Sequence, residues 1–211
     1  NMDSLFLKNN NLVELDNTHF IIDMMYAVPE NITMHPVYEE VGFGNRAYVH
    51  IDVAERLKTV ISRLSELDLR LRIRDAYRPP VAHQRILQII PVEGLFASKA
   101  ENSLHCYGTA IDCCLTDEKG YNLKFPTEVD AYEKKYAKQI AFGKTDDFYK
   151  HFAKARSDYF DMKMVKAINN RELLKKIMTE AGFEGIGSEW WHFQLPEGKT
   201  LYPIINWQEN K

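Results

Sequence analysis

Apolar residues recur along this chain at two different periods. From His50 to Asp68, HIDVAERLKTVISRLSELD sets Val53, Leu57, Val60, Ile61, Leu64 and Leu67 three and four apart, which predicts an amphipathic helix. The period then drops to two. In LRLRIRDAY, Leu69, Leu71 and Ile73 alternate with Arg70, Arg72 and Arg74, which predicts a half-buried strand with its arginines solvated or paired. YRPP ends that strand, because proline has no N–H for a ladder. VAHQRILQII predicts a short helix, GLFASKAENSLHCYG a loop and TAIDCCL a buried strand. EVDAYEKKYAKQIAF predicts a helix, as does much of DDFYKHFAKARSDYFDMKMVKAI. NNRELLKKIMTEAG predicts another, with Asn169 as its N-cap, Glu172 three residues on and Gly182 as its stop. FEGIGSEWWHFQL predicts a turn leading into a strand. The segment up to Val49, with Pro29, Pro36, Gly42 and Gly44, predicts extended pieces and turns. Helices and strands alternate irregularly, so the expected class is α+β, an antiparallel sheet flanked by helices.

Composition narrows the function. The 211 residues are 45% hydrophobic, enough for one good-sized core. A formal net charge of -3 argues against a general nucleic-acid binder. No apolar run approaches the roughly 18–20 residues of a membrane helix, and no signal-peptide pattern opens the chain. A cytoplasmic protein is expected, or a periplasmic one if Asn1 ahead of Met2 marks a processed start. The three cysteines, Cys106, Cys113 and Cys114, are odd in number and form no Cys-x-x-Cys pair. They suit a reducing compartment, with Cys113 and Cys114 as small buried strand residues. No heptad or interface motif indicates an oligomeric state.

Candidate chemistry gathers in SLHCYGTAID and SEWWHF. Asp112 stands inside an apolar strand, where a carboxylate costs several kcal/mol unless paired, hydrogen-bonded or metal-bound. Gly108 lets the chain bend between His105 and Asp112, so both can face one pocket. His192 on a later strand supplies a third donor. Two imidazoles and one carboxylate leave a fourth zinc position open, as a hydrolase needs. The bland alternative for Asp112 is a salt bridge to an arginine of LRIRDAYRP. His19, His35, His50, His83 and His151 lack such a context and read as ordinary surface or core histidines.

These residues resemble the zinc D-alanyl-D-alanine dipeptidases. S-x-H-x-x-G-x-A-x-D followed much later by E-W-W-H carries the likeness. RDAYRPP, the segment Asp23 to Tyr38, FPTEVDAY and AGFEGIGSEWWHF extend it, in the same order, over roughly Phe20 to Phe193. The resemblance implies a single zinc peptidase domain over residues 1–211 with the hedgehog/DD-peptidase type of fold. It implies one zinc per chain, held by His105, Asp112 and His192, and a small dipeptide as substrate. Glu189 matches the base that activates the zinc-bound water, and Arg78 matches the arginine that stabilises the oxyanion. Ser103 matches a substrate-pocket position. Tyr26 and Asp130 match positions that hold the substrate ammonium, although an acid opening a predicted helix is also favoured by the helix dipole. Trp190 and Trp191 are expected to alternate, one into the core and one towards the site.

The implied reaction is hydrolysis of D-alanyl-D-alanine to two D-alanines. A related peptidoglycan D,D-carboxypeptidase or L-alanyl-D-glutamate endopeptidase is the enzymatic alternative. Cys106-Tyr107 after the first ligand, a longer stretch after Asp130 and a shorter one after Arg78 depart from the family pattern and bear on that choice. A zinc-stabilised binding module is the non-enzymatic alternative. Its mark would be a missing base, and both Glu189 and Arg78 are present.

Overall fold

In chain order the computed structural model, which describes residues 2–90 and 92–209, has these elements: α1 (Ser4–Asn9), β1 (Leu12–Glu14), β2 (Phe20–Ile22), α2 (Val37–Glu40), β3 (Tyr48–His50), α3 (Ile51–Glu66), β4 (Leu69–Asp75), α4 (Pro80–Ile89), β5 (Ala110–Asp117), α5 (Lys134–Ala141), α6 (Asp146–Phe152), α7 (Val165–Glu180), β6 (Glu184–Ile186) and β7 (Glu189–Gln194). Asn1, and with it the question of a processed start, lies outside the described residues. Five strands form the main sheet in the order β2-β4-β5-β7-β6. β2 runs parallel to β4, and every other pairing is antiparallel. β1 and β3 make a small antiparallel pair of their own.

The long periodic segments fold as their patterns predict. α3 buries Val53, Leu57, Val60 and Leu64, while Ile61 and Leu67 are half-buried. β4 alternates, with Leu71 and Ile73 buried and the arginines only partly covered. Arg72 and Arg74 both reach Asp23, so they are paired. Cys113 and Cys114 are buried in β5.

Other expectations are corrected. The N-terminal segment is not only extended: Asp3 caps α1 by accepting from the Leu5 N–H at 2.7 Å. α7 starts at Val165, which puts Asn169 inside the helix rather than at its cap. Burial of Ala167 and Ile168 outweighs the local capping signal and draws the preceding turn into the helix. Gly182 does end it, at φ +94°. The helix expected from Glu128 begins only at Lys134, so Asp130 does not open a helix.

Strand register decides which residues share a face. Directly paired residues lie on the same side of a sheet. Leu71 with Leu115, Ile73 with Cys113, and Ile111 with Phe193 therefore make one apolar face. Arg72 with Cys114, and Asp112 with His192, make the other. The ladder between β4 and β5 shifts between Ile73 and Asp75, and Asp75 pairs with Asp112. That bulge turns Asp75 onto the face of Asp112, where strict alternation would have put it on the apolar side.

Candidate active site

His105 sits in the single turn Leu104–Tyr107, which Gly108 ends in the left-handed region at φ +70°. Asp112 lies one strand pair inside the sheet, opposite His192 on β7. Asp112 Oδ1 is 3.3 Å from His105 Nε2 and 3.2 Å from His192 Nδ1. All three residues are buried, and their donor atoms lie within 4.8 Å of one another.

The far side of each ring is already committed. His105 Nδ1 lies 2.9 Å from the Ala76 carbonyl oxygen, an acceptor, so this nitrogen carries the proton. His192 Nε2 lies 2.8 Å from Gln194 Oε1, and the Gln194 amide nitrogen donates onward to Glu184 at 3.1 Å. The remaining lone pairs, on His105 Nε2 and His192 Nδ1, converge on a carboxylate oxygen. Two lone pairs and an anion at this spacing are matched by a cation, and fixed outer-sphere partners of this sort orient metal-binding imidazoles. The group fits a metal ion. Burial alone would raise the Asp112 pKa, yet the two imidazoles hold its carboxyl below the usual range. Burial opposes charge on His105, but Asp112 raises its pKa overall.

Glu189 enters from the start of β7, its Oε2 3.9 Å from His192 Nδ1. Regular alternation would send residues three apart to opposite faces. The β6–β7 ladder, however, shifts register between Gly185 and Ile186, and Ile186 pairs with Glu189. Burial, then the charges of Asp112 and Asp130, push the Glu189 carboxyl well above its ordinary pKa, with Arg78 opposing.

These groups line a cavity of about 260 Å³, together with Arg78, Ser103 and Asp130. Tyr26 does not line it. Its fully buried hydroxyl donates to Asp130 from behind. Asp130 and Ala131 both take left-handed backbone, at φ 57° and 50°, in a short turn. Non-glycine residues are held there only by their surroundings, and this turn aims the Asp130 carboxylate into the cavity. Burial and the nearby Asp112 charge push its pKa up to about 7.

Arg78 is bound by Asp75, which accepts from Nε at 3.0 Å and Nη2 at 2.7 Å. Tyr38 donates to the other Asp75 oxygen. Arg78 is thus structurally paired with Asp75, and the side chain still lines the cavity. Tyr107 is absent from the lining and donates to the Glu101 carbonyl oxygen at 3.0 Å.

The expectation that one tryptophan faces the site is corrected: both are buried in the core and neither lines the cavity. Trp190 stacks on Phe125 with centroids 4.2 Å apart, donates to Thr127 Oγ1 at 2.9 Å, and so braces the segment leading to Asp130. It also lines a smaller hollow of about 200 Å³ that shares Glu189 and His192 with the cavity. Trp191 is fully buried.

A cluster able to hold a metal, with a buried carboxylate beside it at the wall of a small cavity, fits a class: a metal-dependent hydrolase. Comparison with known proteins makes the assignment specific. The chain belongs to the D-ala-D-ala dipeptidase family, whose model matches residues 8–210. It is 34% identical over 185 residues to the D-alanyl-D-alanine dipeptidase of Escherichia coli (strain K12), covering 87% of this chain and 82% of that protein. It is 28% identical over 185 residues to the D-alanyl-D-alanine dipeptidase of Enterococcus faecium, covering 82% of this chain and 84% of that one.

Proposed function

We propose that this protein hydrolyses D-alanyl-D-alanine to two D-alanines, with one zinc ion per chain held by His105, Asp112 and His192. The observation that carries this reading is the convergence of that cluster and Glu189 on one small cavity whose wall includes the acid Asp130. Zinc bound there supplies Lewis acidity, which polarises the scissile carbonyl and lowers the pKa of water towards ~7. Glu189 takes the proton of the attacking water and delivers it to the leaving amine.

Arg78 faces the developing oxyanion. Of its five N–H groups, Nε–H and one on Nη2 are given to Asp75 and one on Nη1 to His83, which leaves one free on each Nη. Asp130, oriented by Tyr26, meets the substrate ammonium, and Ser103 stands on the same wall. The cavity, about 260 Å³, has room for a dipeptide, and the acid Asp130 on its wall suits a substrate with a free ammonium. The test is D-alanine release from D-alanyl-D-alanine by the zinc-loaded protein and by the chelated one. Release that chelation stops and zinc restores is expected. Stoichiometric zinc without release would overturn the dipeptide reading and direct the assay to longer peptidoglycan peptides.

A further inference from the structure

His83 carries no role in the reading above, and its sequence context marks it only as a residue of a helix. The structure gives it unusual surroundings. Proline sets φ in advance, and Pro80 at the first position of α4 starts the helix two residues after Arg78, with Pro79 as the N-cap. The His83 N–H donates to the Pro79 carbonyl oxygen at 3.1 Å, which folds the first turn back over Arg78. His83 is fully buried, and its ring spans two groups of the cavity wall. Arg78 Nη1 is 3.1 Å from Nδ1, and the Ala97 carbonyl oxygen is 2.8 Å from Nε2.

The protonation pattern follows from the partners. A guanidinium only donates and a carbonyl oxygen only accepts, so Nδ1 must bear the lone pair and Nε2 the proton. The ring is then a neutral acceptor for Arg78. Burial and the adjacent Arg78 charge lower its pKa to about 4, in keeping with that state. Asp75 holds the Nε and Nη2 edge of the same guanidinium, and the rings of Tyr26 and Phe96 lie 5.4 and 5.7 Å from its centre. Asp75 fixes one edge of the fork. His83 fixes the remaining arm, and through Ala97 ties it to the loop that lines the cavity.

We propose that His83 is a positioning residue for Arg78: its neutral imidazole sets the direction of Nη1 and locks the Leu95–Ala97 wall to the guanidinium. This rests on the oxyanion role assigned to Arg78 above. The experiment is a double-mutant cycle on zinc-loaded protein, with D-alanyl-D-alanine as substrate and zinc content and thermal midpoint measured for each variant. His83→Leu should lower kcat/KM roughly tenfold to hundredfold, mostly in kcat, the usual consequence of misdirecting a group that acts in the transition state. In an Arg78→Ala background the same change should have less than about a twofold effect, because residues acting through one another are not additive.

Two further variants separate the bonds if His83→Leu fails to fold. His83→Asn keeps an acceptor near the Nδ1 position and should retain most activity. His83→Gln keeps a donor that reaches Ala97 but loses that acceptor, and should behave like His83→Leu. Additive losses in the cycle, or equal wild-type turnover in the Asn and Gln variants, would overturn the proposal and leave the reading of Arg78 intact. Unchanged turnover in Arg78→Ala alone would remove the role of Arg78 itself, and this inference with it.

Discussion

Single side chains in this site are defined by what their second atom does. His105 and His192 each give one nitrogen to a protein acceptor, which leaves the other for the shared centre at Asp112. Glu189 has no such commitment: among the described residues its nearest ion-pair partner is His192, at 3.9 Å. A carboxylate held that loosely, beside the cluster and short of its bonding distance, is free to carry a proton. Glu189→Gln keeps the shape and removes the base, so kcat is expected to fall by about 10²–10⁴-fold while zinc stays bound. Steady-state kinetics with zinc content on the same sample check this. Full turnover would remove Glu189 from the mechanism. The grouping of His105, Asp112 and His192, with Glu189 beside it, was legible in the sequence, because an acid inside an apolar strand and a histidine beside an acid are local anomalies. The Asp75 partner of Arg78, three residues away, was also open to sequence reading, but Tyr38, which donates to that Asp75, was not. Their meeting depends on residues 37 positions apart.

At the level of elements, irregularities place the groups more than the regular strands do. The bulge before Asp75, the shift before Glu189 and the left-handed turn at Asp130 each bring a side chain where the plain period would not. Gly108 belongs with them. Its carbonyl oxygen accepts from the His50 N–H at 2.9 Å, and a Cβ there would come within 2.9 Å of Leu12 Cδ2 and 3.3 Å of the His50 nitrogen. Gly108→Ala should therefore cost about 1–2 kcal/mol from left-handed backbone alone, with the clash added. It should also weaken metal binding by shifting the His105 turn. Chemical denaturation and chelator competition measure the two effects, and a variant with wild-type values in both would show that the turn tolerates a side chain. Helix and strand types in α3, β4 and β5 were readable because periodicity is a local property. The register shifts were not, since no residue pattern in LRLRIRDAY or FEGIGSEWW announces the extra residue.

Across the whole molecule, α3 and α7 pack against the sheet and against each other, and most of the described buried apolar residues, from Met2 to Ile205, join in one cluster. No described helix is long and apolar enough to cross a membrane. The carboxylates gathered beside this core make stability depend on pH. Asp130 ionises near 3.8 when unperturbed and near 7 in the fold. The folded state therefore holds a proton that the unfolded chain has released, and the stabilisation is full below the lower value and lost as pH rises through the upper one. Glu189 acts with the same sign. His83, its pKa lowered to about 4, acts with the opposite sign over about pH 4–6.5, so the Asp130 contribution is read as a difference: chelated Asp130→Asn should gain stability relative to chelated wild type as pH rises across about 4–7. Denaturant midpoints of both proteins over this range test it, and parallel curves would mean that Asp130 does not titrate there.

By itself the sequence determined the class of fold, the long helices, the alternation of the strands and which three residues, His105, Asp112 and His192, gather as a group able to hold a metal. Each of these is written in neighbouring residues, as a period, a cap or a charge out of place. Only the tertiary structure decided that Tyr26 stands behind Asp130 rather than in the cavity, that Asp75 shares the face of Asp112, and that His83 touches Arg78. Those relations depend on ladder register and on the packing of distant segments, where a one-residue shift exchanges core for site.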